Sequence, residues 1–299
     1  MTDIEDIVNI KESTCEVISW SRRTDVPAST QYMKEAVTSM KLGYIDTCSP
    51  YGVKSRLSLK PEHVKCISWW SKNYGPWIKM SEKRPKLFAK YKHMFNFTIN
   101  GYDALEPGVS SSSLDERLQQ LKTLSERYGS QSIQYRFDPI VAYRDLEDNK
   151  VKDNLCNFER IVKFVSECGV KEVHFAFCLS YPKVVKRMKA NGKELINLDD
   201  NAKYEILDKL LVITDKYGIE MHACCTSGLI GYKGKIKESH CIDGDKIAKL
   251  IGRPLNKNTK DKSQRKECRC VISRDAGRYD QSCLNKCMYC YANPEKITK

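Results

Sequence analysis

Short apolar runs alternate with longer amphipathic stretches along the 299-residue chain. Seven of the runs are rich in β-branched and aromatic residues and read as strands: Glu16–Ser21, Gly43–Cys48, Val64–Trp70, His93–Ile99, Ser132–Phe137, Glu172–Cys178 and Ile219–Cys224. Arg269–Ser273 supplies an eighth. Helical periodicity lies between them, over Ser29–Lys41, Leu114–Tyr128, Asn154–Cys168, Asn201–Tyr217 and Asp243–Ile251. Ser113 offers an N-cap to the second of these. Gly129, Gly169, Gly218 and Gly252 each follow the end of one, where a left-handed cap residue belongs.

Strand–helix alternation demands crossover connections and hence a parallel sheet. No G-x-G-x-x-G follows a strand, so a dinucleotide-binding sheet is disfavoured. The α/β fold expected is a (β/α) barrel or partial TIM-like barrel. Its body spans residues 1–225, and a basic, cysteine-rich region, 226–299, packs on the rim. In such a fold the reactive face is built after the strand carboxyl ends. Arg22, Arg23, Thr24 and Asp25 fall there after the first strand, Asn100 and Gly101 after the fourth, Arg136 and Asp138 at the fifth, and Cys224 with Cys225 at the seventh.

Composition adds charge and sulfur. There are 51 Lys and Arg against 38 Asp and Glu, a net charge of +13, which suits an acidic partner such as nucleic acid. Ten of the basic residues lie between Arg253 and Lys286 with only four acids among them; the bland alternative is a solvated loop. No apolar run is long enough for a membrane helix, and the acidic start lacks a signal-peptide pattern. A cytoplasmic protein is expected, in which dense cysteines are metal ligands rather than disulfides. Of 14 cysteines, Cys15, Cys48, Cys66, Cys156, Cys168 and Cys178 sit on predicted strands or helices and read as small core residues.

The rest carry the chemistry. Cys283-Leu-Asn-Lys-Cys287-Met-Tyr-Cys290 is C-x3-C-x2-C. Three thiolates on a tight loop can hold three irons of a 4Fe–4S cluster and leave the fourth iron open. The rival is a structural zinc site, for which Cys287 and Cys290 make a knuckle. Cys268 and Cys270, with Cys241 and one of Cys224 or Cys225, could hold a second metal with a closed shell; strand alternation favours Cys224.

The three-cysteine spacing resembles that of radical S-adenosylmethionine (SAM) enzymes. There the open iron chelates SAM, and one-electron reduction cleaves it to a 5′-deoxyadenosyl radical. The aromatic before the third cysteine, here Tyr289, lies beside the adenine in those enzymes. Nearly end to end, the chain also resembles an uncharacterised prokaryotic family with a radical-SAM-like cysteine cluster at its C-terminus. That likeness rests on Ser21–Pro27, Ser58–Pro61, Phe97–Tyr102, Leu114–Arg117, Tyr135–Ile140, Cys241–Gly244, Asp261–Arg265, Cys268–Cys270, Ser273–Asp275 and Cys283–Ala292. Radical SAM enzymes place this loop after their first strand, so its position here implies a circular permutation, with Arg269–Ser273 as the equivalent strand.

The resemblance implies an iron–sulfur enzyme that uses a 4Fe–4S cluster and SAM to abstract hydrogen from a substrate the sequence does not name; the basic C-terminal region points to nucleic acid or another phosphorylated molecule. An external flavodoxin- or ferredoxin-like reductant is its expected partner. Two rivals are a zinc-stabilised nucleic-acid-binding protein and an iron–sulfur redox or sensor protein without SAM chemistry.

Arg22 and Arg23 could grip a phosphate or carboxylate, with Asp25 orienting an arginine; the alternative is a structural ion pair. Arg136 and Asp138 could bind the SAM ribose or substrate, or simply pair with one another. Tyr74, Trp69, Trp70 and Trp77 form an aromatic group that could stack a base or pack the core. His222 lies near Cys224 in sequence, but a core histidine is favoured.

Overall fold

The computed structural model describes residues 12–48, 54–278 and 281–292. At its centre is one parallel sheet of eight strands: β1 (Val17–Trp20), β2 (Cys66–Ser71), β3 (Lys92–Thr98), β4 (Ile133–Ile140), β5 (Glu172–Phe177), β6 (Glu220–Ala223), β7 (Ile236–Glu238) and β8 (Arg274–Asp275). Their spatial order is β7-β6-β5-β4-β3-β2-β1-β8. Seven strands thus lie in chain order, as short crossovers produce. The last strand returns to the opposite edge and pairs with the first, Arg274 opposite Ile18 and Asp275 opposite Ser19.

Among the described residues eight α-helices accompany the sheet: α1 (Thr30–Leu42), α2 (Gly75–Lys83), α3 (Pro85–Phe88), α4 (Leu114–Tyr128), α5 (Phe158–Glu167), α6 (Pro182–Ala190), α7 (Asp200–Lys216) and α8 (Gly244–Ile251). Strand alternation divides the sheet's two faces. Ile18, Trp20, Ile67, Trp69, Phe95, Phe97, Tyr135, Phe137 and Phe175 point toward α1, α2, α4, α5 and α7 and form the main core. Val17, Cys66 and Met94 point the other way. They pack against Ile247 of α8 and against Cys241, Ile242, Leu255, Cys268, Cys270 and Val271. The C-terminal region therefore covers the second face of the sheet.

The expected barrel does not close: the two edge strands, β7 and β8, are not paired among the described residues. They are three and two residues long, too short for a seam of hydrogen bonds, and α8 with the cysteine segments already covers the face that closure would enclose. Two strand expectations are corrected with it. Gly43–Cys48 does form a strand at Tyr44–Cys48, but outside the main sheet, antiparallel to Lys54–Ser58. The connection between them is too short for a parallel crossover, which needs a dozen residues or more. The eighth strand lies at Arg274–Asp275 rather than Arg269–Ser273, where only an isolated bridge, Lys260 to Val271, is found. A third sheet of Ala142–Asp145, Val151–Asp153 and Lys193–Leu195 stands beside α6.

Helix ends follow the sequence signals. Ser113 and Glu116 form a reciprocal capping box at α4, and Gly43 closes α1 in the left-handed region. Helices α2 and α6 are additions to the sequence reading. Both carry proline in the first turn, where its missing N–H costs nothing. No helix among the described residues is long and apolar enough to cross a membrane.

Candidate active site

The Cys283–Cys290 loop follows β8 and folds over the carboxyl ends of the central strands, where open α/β sheets bind ligands. Its backbone is tied down at several points. Asn285 O accepts from Gly108 N–H at 3.0 Å, and Met288 N–H donates to Leu105 O at 3.0 Å. The Arg187 guanidinium of α6 donates to Met288 O at 3.2 Å and to Cys290 O at 2.7 Å. Asn285 Nδ2 donates to Asp25 Oδ2 at 2.6 Å. Gly108 is required by contact alone: a Cβ there would lie 1.8 Å from Leu284 O. Cys287 and Tyr289 join Leu105, Val141, Tyr143, Val184 and Met188 in a small apolar cluster that seats the loop.

A buried polar network lies beneath it. Lys72, just past β2, donates to Glu106 Oε1 at 3.0 Å. Asn100, just past β3, donates to the same oxygen at 2.8 Å and to Tyr289 Oη at 2.9 Å. The Tyr289 hydroxyl also donates to Glu106, and Arg117 stands 3.9 Å from that carboxylate. Burial opposes the Lys72 charge, but Glu106 and Cys287 more than offset it and raise its pKa. Burial lifts the Cys287 thiol and the Tyr289 hydroxyl above their ordinary values. Cys283 is pushed up to about 11, by burial first and then by the charge of Asp25. Cys287 also feels the charges of Cys290 and Cys283, so the three thiols share one neighbourhood.

The second cysteine group comes together on the other face of the sheet. Cys224 Sγ lies 3.2 Å from Cys241 Sγ. Cys241, Cys268 and Cys270 are buried in one cluster, with Cys224 and Cys225 packed against it. Both Cys224 and Cys225 belong to the group, although strand alternation favoured Cys224 alone. The reason is that β6 ends at Ala223 and Cys225 takes a φ of 51°, which turns it back toward the group. Arg136, 3 % exposed, donates from Nη1 to Cys241 Sγ at 3.0 Å and from Nη2 to Asp138. Among the described residues no group of three or more His, Cys, Asp or Glu side chains is arranged to hold a metal ion, so neither cysteine group displays a formed ion site.

The family model DUF1848, a domain of unknown function, matches residues 17–292. The chain belongs to that family. No match is found among curated proteins. Among solved structures, Streptococcus suis SuiB bound to its precursor peptide SuiA is 11% identical, with a TM-score of 0.34 over 80% of this chain and 46% of that one. SuiB bound to S-adenosylmethionine is 12% identical, with a TM-score of 0.34 over 92% of this chain and 52% of that one. The DUF1848 chain spans about half the length of SuiB.

Several sequence expectations fall elsewhere in this DUF1848 structure. Asp25 orients no arginine: its carboxylate is buried and accepts from Ser71 Oγ at 2.6 Å, Lys72 N–H at 2.8 Å, Ala28 N–H at 3.2 Å and Asn285. Arg22 instead donates to Ser19 Oγ and Ser273 Oγ and lies over the Trp70 ring. Arg23 is half-buried and lends charge to Asp275 and Tyr291. Arg136 and Asp138 form the ion pair that was the alternative to ligand binding. Base stacking on the aromatic group is overturned, because Tyr74, Trp69 and Trp77 are fully buried in the core. Only Trp70 is partly open, between Arg22 and Arg136. His222 contacts Glu238 O, Glu172 and Glu220, not the thiols.

Of the six cysteines read as core, only Cys66 is fully buried; Cys156 is exposed, and Cys178 lies beside Cys290. Sequence reading missed Lys72, Glu106, Asn285 and Arg187. Lys72 follows a strand and was findable by position. Glu106 sits in irregular chain with no periodic signal.

Proposed function

We propose that this chain is an iron–sulfur enzyme of the radical SAM type, with Cys283, Cys287 and Cys290 holding a 4Fe–4S cluster. One observation carries the reading: the C-x3-C-x2-C loop, with Tyr289 before its third cysteine, lies over the strand carboxyl ends with its three thiols in one electrostatic neighbourhood. A cubane binds each thiolate through a different iron, so its ligands need not surround one point as those of a single ion do. The donor set suits such a cluster: three thiols with the Lys72 ammonium set against Cys287.

When bound, the reduced cluster supplies the electron that cleaves SAM. The chain's own residues position and insulate. Asn100 and Glu106 fix the Tyr289 hydroxyl and so set its ring plane. Asp25 anchors Asn285 and so the turn between Cys283 and Cys287. Nine of the ten basic residues from Arg253 to Lys286 are exposed, which suits an anionic substrate. The electron comes from an external flavodoxin- or ferredoxin-like reductant.

Anaerobic reconstitution of the full chain tests this. About four irons and four sulfides should depend on Cys283, Cys287 and Cys290. With dithionite and SAM the protein should release 5′-deoxyadenosine, and C287A should not. An intact, reduced cluster that leaves SAM whole defeats the reading.

A further inference from the structure

We propose that Cys224, Cys225, Cys241, Cys268 and Cys270 form a second, thiolate-ligated metal centre, separate from Cys283, Cys287 and Cys290, with Arg136 as its charge-balancing donor. The five thiols come from distant parts of the chain: the end of β6, the approach to α8 and the C-x-C segment before β8. Cys224 Sγ lies 3.2 Å from Cys241 Sγ, and Cys241, Cys268 and Cys270 pack in one buried cluster against Cys224 and Cys225.

Three donors point at their sulfurs. Arg136 Nη1 reaches Cys241 at 3.0 Å, Ile242 N–H reaches Cys270 at 3.3 Å and Cys270 N–H reaches Cys268 at 3.5 Å. A neutral thiol accepts such bonds weakly, whereas a metal-bound thiolate is oriented and tuned by them. A buried guanidinium set between one carboxylate and a sulfur calls for negative charge on that sulfur.

Disulfides do not account for the group. Five sulfurs cannot all pair, and all five are free thiols. Thiolates select zinc or iron–sulfur clusters over magnesium or calcium. Cys224 Sγ and Cys241 Sγ now touch, so loading must move them apart. Cys225, Cys268 and Cys270 lie outside helices and strands, where the chain can give. Each ligating thiol releases its proton as the metal–sulfur bond forms, with no change of oxidation state at sulfur. The group packs on the α8 face with Val17, Cys66 and Met94, whereas Cys287 and Tyr289 pack with α6. Two centres, rather than one shared site, follow from that division.

The test is metal analysis of the full chain purified without oxygen. The C283A/C287A/C290A variant should retain a fixed complement of metal, and adding C241S and C270S should remove it. Iron with matching sulfide identifies a cluster and zinc a single ion, and either upholds the proposal. A triple variant without metal overturns it. Should the added substitutions prevent folding, alkylation of the unsubstituted protein gives the same answer by mass mapping. A chelator should raise the labelling rate of these five cysteines several-fold. Rates equal with and without chelator overturn the second centre, and leave the Cys283–Cys290 reading untouched.

Discussion

The imidazole of His93 is held neutral from both sides. Its Nδ1 faces the Trp69 indole N–H at 3.0 Å, so that nitrogen accepts, and its Nε2 donates to Phe88 O at 3.0 Å. Burial lowers its pKa from 6.5 to about 4. The unfolded chain therefore binds the extra proton first. The stability His93 contributes is fully present above about pH 6.5 and is lost as pH falls toward about 4. His174, lowered to about 4 by burial and then by the Arg136 charge, behaves alike. Each should cost about 2 kcal/mol between pH 7 and pH 5. Urea midpoints at the two pH values check this; H93Q should lose less on acidification than the parent chain. At this scale the sequence was partly legible. The strand pattern placed Arg22 and Asp25 past β1, where they lie, but put Arg136 at a strand end, whereas it sits midway along β4. It did not reveal that Asp25 serves Asn285, 260 residues away, since no local pattern encodes such a pairing.

Among elements, the loop seated on its neighbours is the most exacting fit. Gly108 and Leu284 approach so closely that no side chain fits between them. G108A should displace the Cys283–Cys290 loop and reduce bound iron several-fold, with the unfolding free energy lowered by about 1–3 kcal/mol and the urea midpoint lowered with it. Iron content against midpoint separates the two effects: a variant that binds iron as the parent does would show that the loop tolerates the shift. Most main-sheet strands and α4 were readable from periodicity, with α4 matching to the residue because a capping box and a glycine mark its ends. The strand Tyr44–Cys48, which joins a separate small sheet, misled because strand propensity carries no information about which sheet a strand joins. Helices α2 and α6 were hidden by Gly75-Pro76 and Tyr181-Pro182, which read equally as turns or as helix starts.

At the scale of the molecule, the eight-stranded sheet depends on a strand from the far end of the chain. The expected permutation set a strand at Arg269–Ser273 ahead of the cysteine loop; the strand found ahead of it is β8, Arg274–Asp275, which lies beside β1. What sequence could not give was the open sheet, since closure depends on how α8 and the thiol segments fill one face. Removing residues 253–299 should leave helical circular dichroism largely intact and yet drive self-association, because β1 becomes a bare edge. A monomeric truncated chain with the full chain's urea midpoint would count against this. The pairing of β8 with β1 also orders assembly in time. Ile18 and Arg274 are separated by about 250 residues, so a growing polypeptide keeps that edge waiting until β8 has emerged. The seat for the Cys283–Cys290 loop, which follows β8, is therefore assembled only after the rest of the sheet has been made.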